Sequence, residues 1–494
     1  MTTSVICTSN MTSGFIDLAT YDEQEKYMYG GEAATAYFVR ETRKATWFTQ
    51  VPVCLNKASG TPQFNQEWSV SITRAGDYLL HTWLRVTLPE VQLSASNQHG
   101  ANGRLRWTRN LMHNLIRECA ITFNDLVAAR FDNYHLDFWA AFTTPAGKLN
   151  GYNNMIGSID DLIEPHDSSS AIESITLNLP LPFFFTRDSG VALPTAAIPY
   201  NDMRITMAFR DWTQLLILDD ISNIGVPAQS GAPSASDLVS GAPSICCAQV
   251  WANYAIVSNE ERKRMGCAPR DILIEQVQTA PVQSFSGTSG TQSFDIRFSH
   301  AVKVLFFGVR NKSISPEWSN YTAAQSIVSA SGVEFTPSGA VDPVLQTSLI
   351  YENTPRLASM GSDYFSLIQP YYTAPVIPTV TGYHMYSYSL DFISLDPMGS
   401  TNYGKLTNVS IVPEASTGAI TGASSSDGTP GAGGDGLAGT QSYDFIVTAV
   451  NNNIIRISGG ALGQKSGRPK TGRCQISCMV TDLDKHCKPC HVLC

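Results

Sequence analysis

Two stretches of this chain repeat one another at a fixed distance, and that repeat limits the possible folds more than any other feature. Trp47-Phe48-Thr49-Gln50-Val51 resembles Leu273-Ile274-Glu275-Gln276-Val277, with Gln50 and Gln276 lying 226 positions apart. Gln66-Glu67-Trp68-Ser69-Val70-Ser71-Ile72-Thr73-Arg74-Ala75 resembles Gln292-Ser293-Phe294-Asp295-Ile296-Arg297-Phe298-Ser299-His300-Ala301 at the same spacing of 226. A long apolar strand follows each copy. A period-two pattern has only two phases, so one such match arises easily by chance. The shared offset marks a duplication.

The duplicated unit is β-rich. In Trp68-Ser69-Val70-Ser71-Ile72-Thr73 alternate residues are apolar, which turns one face of a strand toward a core. Phe294-Asp295-Ile296-Arg297-Phe298-Ser299 does the same. Further strands are expected over 47–53, 78–88, 118–123, 175–179, 203–209, 249–257, 272–279, 302–309, 385–392 and 443–457. Clusters of Gly, Pro, Ser and Asn separate them, as in a sandwich or barrel. Helices are few. One is expected over 131–142. Another starts at Ser258, which has capping-box spacing with Glu261. Glu260 and Glu261 suit its positive end, and Arg262, Lys263 and Arg264 its negative end. Gly266 is the expected stop. This helix is read as the hinge between the copies. The 225–243 stretch has linker composition, but the repeat starts the second copy near Arg270, so 225–243 is read as a loop inside the first. The low-complexity 417–440 stretch is expected to be a mobile loop.

At 494 residues the chain is long enough for two or three domains, with a core that needs neither disulfides nor metals. Charged residues make up 15%, against about 25% in average domains. Low charge suits a self-assembling surface, because interface cores are depleted in Lys, Glu and Asp. The net charge of -9 argues against a nucleic-acid binder. The last thirty residues run the other way, with six basic and two acidic side chains. Residues 1–14 lack the basic start and apolar core of a signal peptide, and no apolar run approaches a span of ~18 residues. A cytosolic product is expected, with the sequons at Asn10, Asn311, Asn320 and Asn408 unused. Cys7, Cys54, Cys119, Cys246, Cys247 and Cys267 are read as buried hydrophobes or free thiols.

No motif supports catalysis, and no catalytic, cofactor or metal residue is assigned. Gly431-Ala432-Gly433-Gly434-Asp435-Gly436 matches G-x-G-x-x-G, but lacks the strand before and helix after that a dinucleotide site needs. Gly463-Gln464-Lys465-Ser466 lacks the glycine before the lysine of a phosphate loop. His113, His135 and His300 are isolated and read as structural or surface residues. Asp160-Asp161 and Asp219-Asp220 are neighbours, which a strand would turn to opposite faces, so both pairs are read as loop charge. In the tail, Cys474, Cys478, Cys487 and Cys490 offer four thiolates, with His486, His491 and Cys494 nearby. Structural zinc, disulfide or interchain pairing, and a free thiol-bearing extension all remain open there. Its basic charge suits weak contact with nucleic acid or an acidic surface.

Longer matches carry a family resemblance. They are Thr12-Ser13-Gly14-Phe15-Ile16-Asp17-Leu18-Ala19-Thr20-Tyr21, Tyr29-Gly30-Gly31, Gly76-Asp77-Tyr78 and Gly151-Tyr152-Asn153-Asn154-Met155-Ile156-Gly157. The most specific is Leu179-Pro180-Leu181-Pro182-Phe183-Phe184-Phe185-Thr186-Arg187-Asp188-Ser189-Gly190. Phe298-Ser299-His300-Ala301-Val302-Lys303, Tyr351-Glu352-Asn353, Gly399-Ser400-Thr401-Asn402-Tyr403-Gly404 and Asn453-Ile454-Ile455-Arg456-Ile457 complete the set. In these, from about Thr12 to Gly463, the chain resembles the major capsid proteins of iridoviruses.

The resemblance implies an all-β double jelly roll: two eight-stranded β-sandwiches side by side, with a few short helices. The expected parts are an N-terminal arm over 1–30 at the capsomer base, a first jelly roll over 31–260, a second over 261–463, and a basic Cys-rich tail over 464–494, expected to be flexible. Three chains would form a pseudo-hexagonal homotrimer that tiles an icosahedral virion shell assembled in the host cytoplasm. Expected partners are the chain itself, neighbouring capsomers, minor capsid and penton proteins, and proteins of an inner viral membrane. No direct nucleic-acid contact and no cofactor are expected. The tail after Gly463 departs from the family and inherits nothing from it. Alternatives are a carbohydrate-binding β-sandwich and a minor capsid or penton paralogue.

Overall fold

The computed structural model describes residues 5–464, apart from 41, 43, 125, 222–229, 268, 288–290, 325–326, 330–331, 335–340, 425–440 and 459–460. The five tail cysteines and the glycine-rich 431–436 stretch lie outside the described residues. The chain divides into two compact units, Met1–Trp47 and Phe48–Cys494. In the first, α1 (Val5–Ala19) is followed by α2 (Glu23–Tyr29). Asp22 starts α2 through a capping box with Glu25, satisfying backbone N–H groups that a helix start leaves open. Phe15, Leu18, Tyr27, Met28 and Tyr29 are exposed along the two helices.

Sixteen strands of the second unit build two sandwiches. The first sandwich uses β1 (Phe48–Cys54), β2 (Glu67–Ser71), β3 (Tyr78–Thr87), β4 (Ile116–Phe123), β5 (Leu126–Phe131), β6 (Thr176–Pro180), β7 (Met203–Phe209) and β8 (Cys247–Val257). Its sheets run β1-β8-β3-β6 and β2-β7-β4-β5, the latter extended by Asn56–Gly60 beside β2. The second sandwich uses β9 (Arg270–Thr279), β10 (Phe294–Asp295), β11 (Ala301–Asn311), β12 (Val344–Tyr351), β13 (Thr354–Gly361), β14 (His384–Ser387), β15 (Val409–Ala415) and β16 (Tyr443–Ser458). Its sheets run β9-β16-β11-β14 and β10-β15-β12-β13. Adding eight to each strand of the first sandwich gives the order of the second. This is a double jelly roll, and the repeat seen in the sequence is its two copies.

Alternation sets both cores. Leu84 and Val86 of β3 and Val250, Ala252 and Tyr254 of β8 face Val70, Ile121, Ile205 and Met207 of the opposing sheet. Leu305, Phe307, Val309, Phe445 and Val447 face Phe294, Leu349 and Ile411 in the second copy. Each buried Val, Leu, Ile, Phe or Met among these contributes about 1.5–3 kcal/mol by leaving water. Equivalent connections carry helices. Between β5 and β6 lie α3 (Asn133–Thr143) and α4 (Ala146–Ile156). Asp132 caps α3 by accepting the His135 N–H at 2.9 Å. α5 (Asn259–Cys267) joins the sandwiches. Between β13 and β14, a π-helical turn (Tyr364–Ile368) runs into an α-helix (Gln369–Thr373); together they form α6.

Several expectations need correction. Gly266 does not stop α5, which continues to Cys267. The 417–440 stretch begins with a helix, Thr417–Ser424, in which the Ser416 carbonyl accepts the Ile420 N–H and the Thr417 carbonyl accepts the Thr421 hydroxyl. β10 and β14 are shorter than 294–299 and 385–392. After β14 the Ser387 hydroxyl accepts the Ser389 N–H and turns the chain. Asp219 is not loop charge. It is fully buried in Leu216–Asp220, a strand paired with Gly103–Trp107, and accepts from Arg106 Nε at 2.7 Å, also fully buried. Asp160 and Asp161 instead occupy the first turn of the helix Asp160–Ile163. Asp77 latches the hinge: its carboxylate accepts from the Val257 N–H and from Arg262 Nε and Nη2 at 2.7–2.9 Å. Burial alone would raise the Asp77 pKa, but these donors hold it below the usual range.

Removing one partner of a buried ion pair strands the other charge. Asp219→Ala should therefore lower unfolding free energy by about 3–5 kcal/mol in urea titrations. Asp160→Ala, at a helix start, should cost only ~0.3–1 kcal/mol.

Candidate functional site

With no catalytic set in the sequence, the functional geometry lies in the faces that the sandwiches bury and those that they leave open. A hydrophobic cluster distinct from either sandwich's core joins the two sandwiches. On β11, Leu305 and Phe307 point into their own core, so Val304, Phe306 and Gly308 point outward. α3 from the first sandwich covers this outer face. Phe138 and Phe142 pack against Val304, Phe306, Met385, Ile446 and Val450. The Phe306 ring lies nearly parallel to Phe142 and Phe138 at 5.5 and 6.1 Å, with Trp139 and Phe392 edge-on. Gly308 permits the approach, since a Cβ there would sit 3.0 Å from the Phe138 ring.

Polar groups fix the register of this weld. Asp137, on α3, is buried and accepts from Ser319 Oγ at 2.8 Å and Tyr321 OH at 3.2 Å of the second sandwich. Its other oxygen lies 2.7 Å from His113 Nδ1, whose Nε2 lies 2.7 Å from Tyr152 OH. The arrangement resembles a proton relay, but burial, then the Asp137 charge, drives the Tyr152 pKa well up and keeps its phenol neutral. Arg187, after β6, pairs with Glu275 of β9 at 3.2 Å, and Glu275 also holds the buried Lys303 ammonium. Trp318 lies between two guanidinium groups, Arg210 at 3.7 Å and Arg310 at 3.9 Å. The Arg210 contact crosses the boundary, while Arg310 holds the ring from within the second sandwich. Burial lowers the Arg210 pKa to about 10, so it stays charged at neutral pH.

His113 and His135 are buried in or beside the weld, and His300 sits before β11 with a positive φ of 65°. His135 stacks on Trp139 at 5.7 Å, and its Nδ1 finds no hydrogen-bond partner. Gly463 and Gln464 end a short strand beside β16. Cys54, Cys119, Cys246 and Cys247 are free thiols. Among the described residues no group of three or more His, Cys, Asp or Glu is placed to hold a metal ion. Sequence reasoning missed the weld partners. The available signal was Lys303 inside the apolar run Val302–Val309, because a lysine on a buried strand requires a carboxylate.

Open faces contrast with the weld. A cavity of about 920 Å³ lies over the outer face of the β1-β8-β3-β6 sheet, floored by Trp83 and walled by Trp139, Met155 and Pro180. Trp83 stacks on Trp251 at 6.2 Å, and both are only half-buried. On α6, Leu367, Ile368, Tyr371 and Tyr372 are exposed, the two tyrosines by 70 and 77%.

Phe138→Ala should lower stability by about 3–5 kcal/mol, read as a fall in thermal midpoint. Burial, then the Arg187 charge, depresses the His135 pKa to about 3, so native His135 stays neutral. The unfolded chain takes up this proton below about pH 6.5. Stability from this group is therefore full above pH 6.5 and falls by about 1.4 kcal/mol per unit toward pH 3. Urea titrations at pH 7, 6 and 5 should show that slope in the native chain and a shallower one in His135→Phe.

With this geometry in place, the relationship to known proteins is direct. Residues 36–257 match the family model for the major capsid protein N-terminus, and 261–463 match that for the large eukaryotic DNA virus major capsid protein. The chain is 64% identical over 460 residues to the major capsid protein of Costelytra zealandica iridescent virus, covering 92% of this chain and 98% of that one. It is 62% identical to that of Invertebrate iridescent virus 6, covering 93% and 99%. Identity to that of Rana tigrina ranavirus is 46%, again covering 93% and 99%. Among solved structures, PBCV-1 VP54 has the same fold, with a TM-score of 0.69 at 19% identity over 88% of this chain and all of that one. The Faustovirus major capsid protein gives 0.67 at 12% identity, over 86% and 93%. The chain belongs to the major capsid proteins of the iridoviruses, and so to those of the large eukaryotic DNA viruses.

Proposed function

We propose that this capsid protein assembles as a homotrimer whose three pairs of sandwiches form a six-lobed tile, and that its role is structural rather than catalytic. One observation carries the reading: the two sandwiches share one strand order and are welded side by side by a core of their own. Three rigid pairs give six similar lobes, a shape that packs in flat hexagonal arrays. Closed cyclic symmetry is also the usual solution for soluble homo-oligomers. The first jelly roll is assigned to 31–260 and the second to 261–463, with 1–30 as an arm beneath the capsomer and 464–494 as a flexible tail. Exposed Phe15, Leu18, Tyr27 and Met28 suit an arm that contacts other molecules at the inner face of the shell. Candidates there are minor capsid and penton proteins and proteins of an inner viral membrane. Shell assembly is placed in the host cytoplasm.

Size-exclusion chromatography with light scattering tests the trimer. The purified chain should run near three times 53.7 kDa. A monomer at micromolar concentration would contradict the reading.

A further inference from the structure

The two sandwiches are alike in topology but not in what covers them. Trp83 and Phe306 are both sixth in their strands, β3 and β11, and both point away from their own cores. Pro180 and Trp251 flank Trp83 across the sheet, as Met385 and Thr448 flank Phe306. Phe306 is sealed by α3 of the preceding sandwich. Trp83 faces the open cavity.

The covering element is duplicated as well. Counted from the end of the preceding strand, Phe138 and Phe142 of α3 hold the seventh and eleventh places after Phe131. Ile368 and Tyr372 of α6 hold the seventh and eleventh places after Gly361. Phe138 and Phe142 are fully buried, whereas Ile368 and Tyr372 are 44 and 77% exposed. The chain thus carries one helix–sheet contact that is made, and the two unmatched halves of a second.

We propose that α6 of one copy docks in the groove floored by Trp83 in the next, repeating between chains the contact that α3 makes within one. This rests on the homotrimer reading and names the surfaces that close it. The occupant is a second copy because the helix left over in one sandwich is the counterpart of the helix that covers the same sheet in the other. The two sites differ at one place. Arg85 stands eighth in β3, where Gly308 stands in β11, so the contact between chains is wider and partly polar.

Light scattering over a dilution series reads the test, with circular dichroism confirming that each variant is folded. Tyr372→Glu alters an exposed side chain and should raise the concentration needed for trimers at least tenfold. Trp83→Lys should do the same. The double variant Tyr372→Glu/Trp83→Lys places opposite charges across the contact and should recover part of the loss. Tyr200→Glu, 77% exposed and outside both surfaces, should behave as the native chain. If the native chain is trimeric and Tyr372→Glu dissociates no more readily, this docking is overturned while the trimer stands. If the native chain is monomeric, the trimer reading itself fails.

Discussion

The structure depends on burying the outer face of one sheet. A β-sandwich satisfies its inner faces by stacking two sheets, but an outer face rich in Val304, Phe306, Met385, Ile446 and Val450 cannot be left to water. α3 supplies the cover, and so joins the sandwiches through a third hydrophobic core rather than a tether. Apolar packing alone tolerates sliding. The buried polar contacts do not, since each has a partner in one place only: Asp137 to Ser319 and Tyr321, Arg187 to Glu275, and Trp318 between two arginines. Displacing the sandwiches would leave these groups buried and unpaired, at about 1–3 kcal/mol for each neutral group and more for the charged ones.

Rigidity of this kind is what a tile requires. A flexible hinge would let the two lobes of one chain adopt many angles, and three such chains would not present a fixed outline. α5 looks like a hinge in sequence, as a short charged helix between two domains. In the fold it is held at one end, where Arg262 and the Val257 N–H grip Asp77. In the proposed homotrimer, two copies of one domain held at a fixed angle would approximate six-fold packing with three chains.

Much of this was legible in the sequence, for reasons that differ by element. Trp68–Ser71 was readable from its alternation, and β3, β11 and β16 from their length and apolar character. β13 was not, because five of its eight residues are exposed and it carries no apolar stripe. α3 was visible as a helix, but its role was not. It is apolar on two sides, with Leu136 in the first core and Phe138 in the weld, so periodicity alone could not assign its faces. Asp219 read as loop charge because its partner, Arg106, is distant in sequence. The duplication was readable from Gln50 and Gln276, yet its consequence, one sheet covered and its twin open, needed the three-dimensional contacts.

The most direct test of the welded tile is an electron cryomicroscopy map of the purified capsomer at a resolution that separates strands. The account requires six sandwiches per particle. The two from each chain should superpose strand for strand, with α3 seated on the Phe306 face at one invariant angle. A map in which the halves of a chain fail to superpose, or take up variable angles with that face exposed, would contradict it.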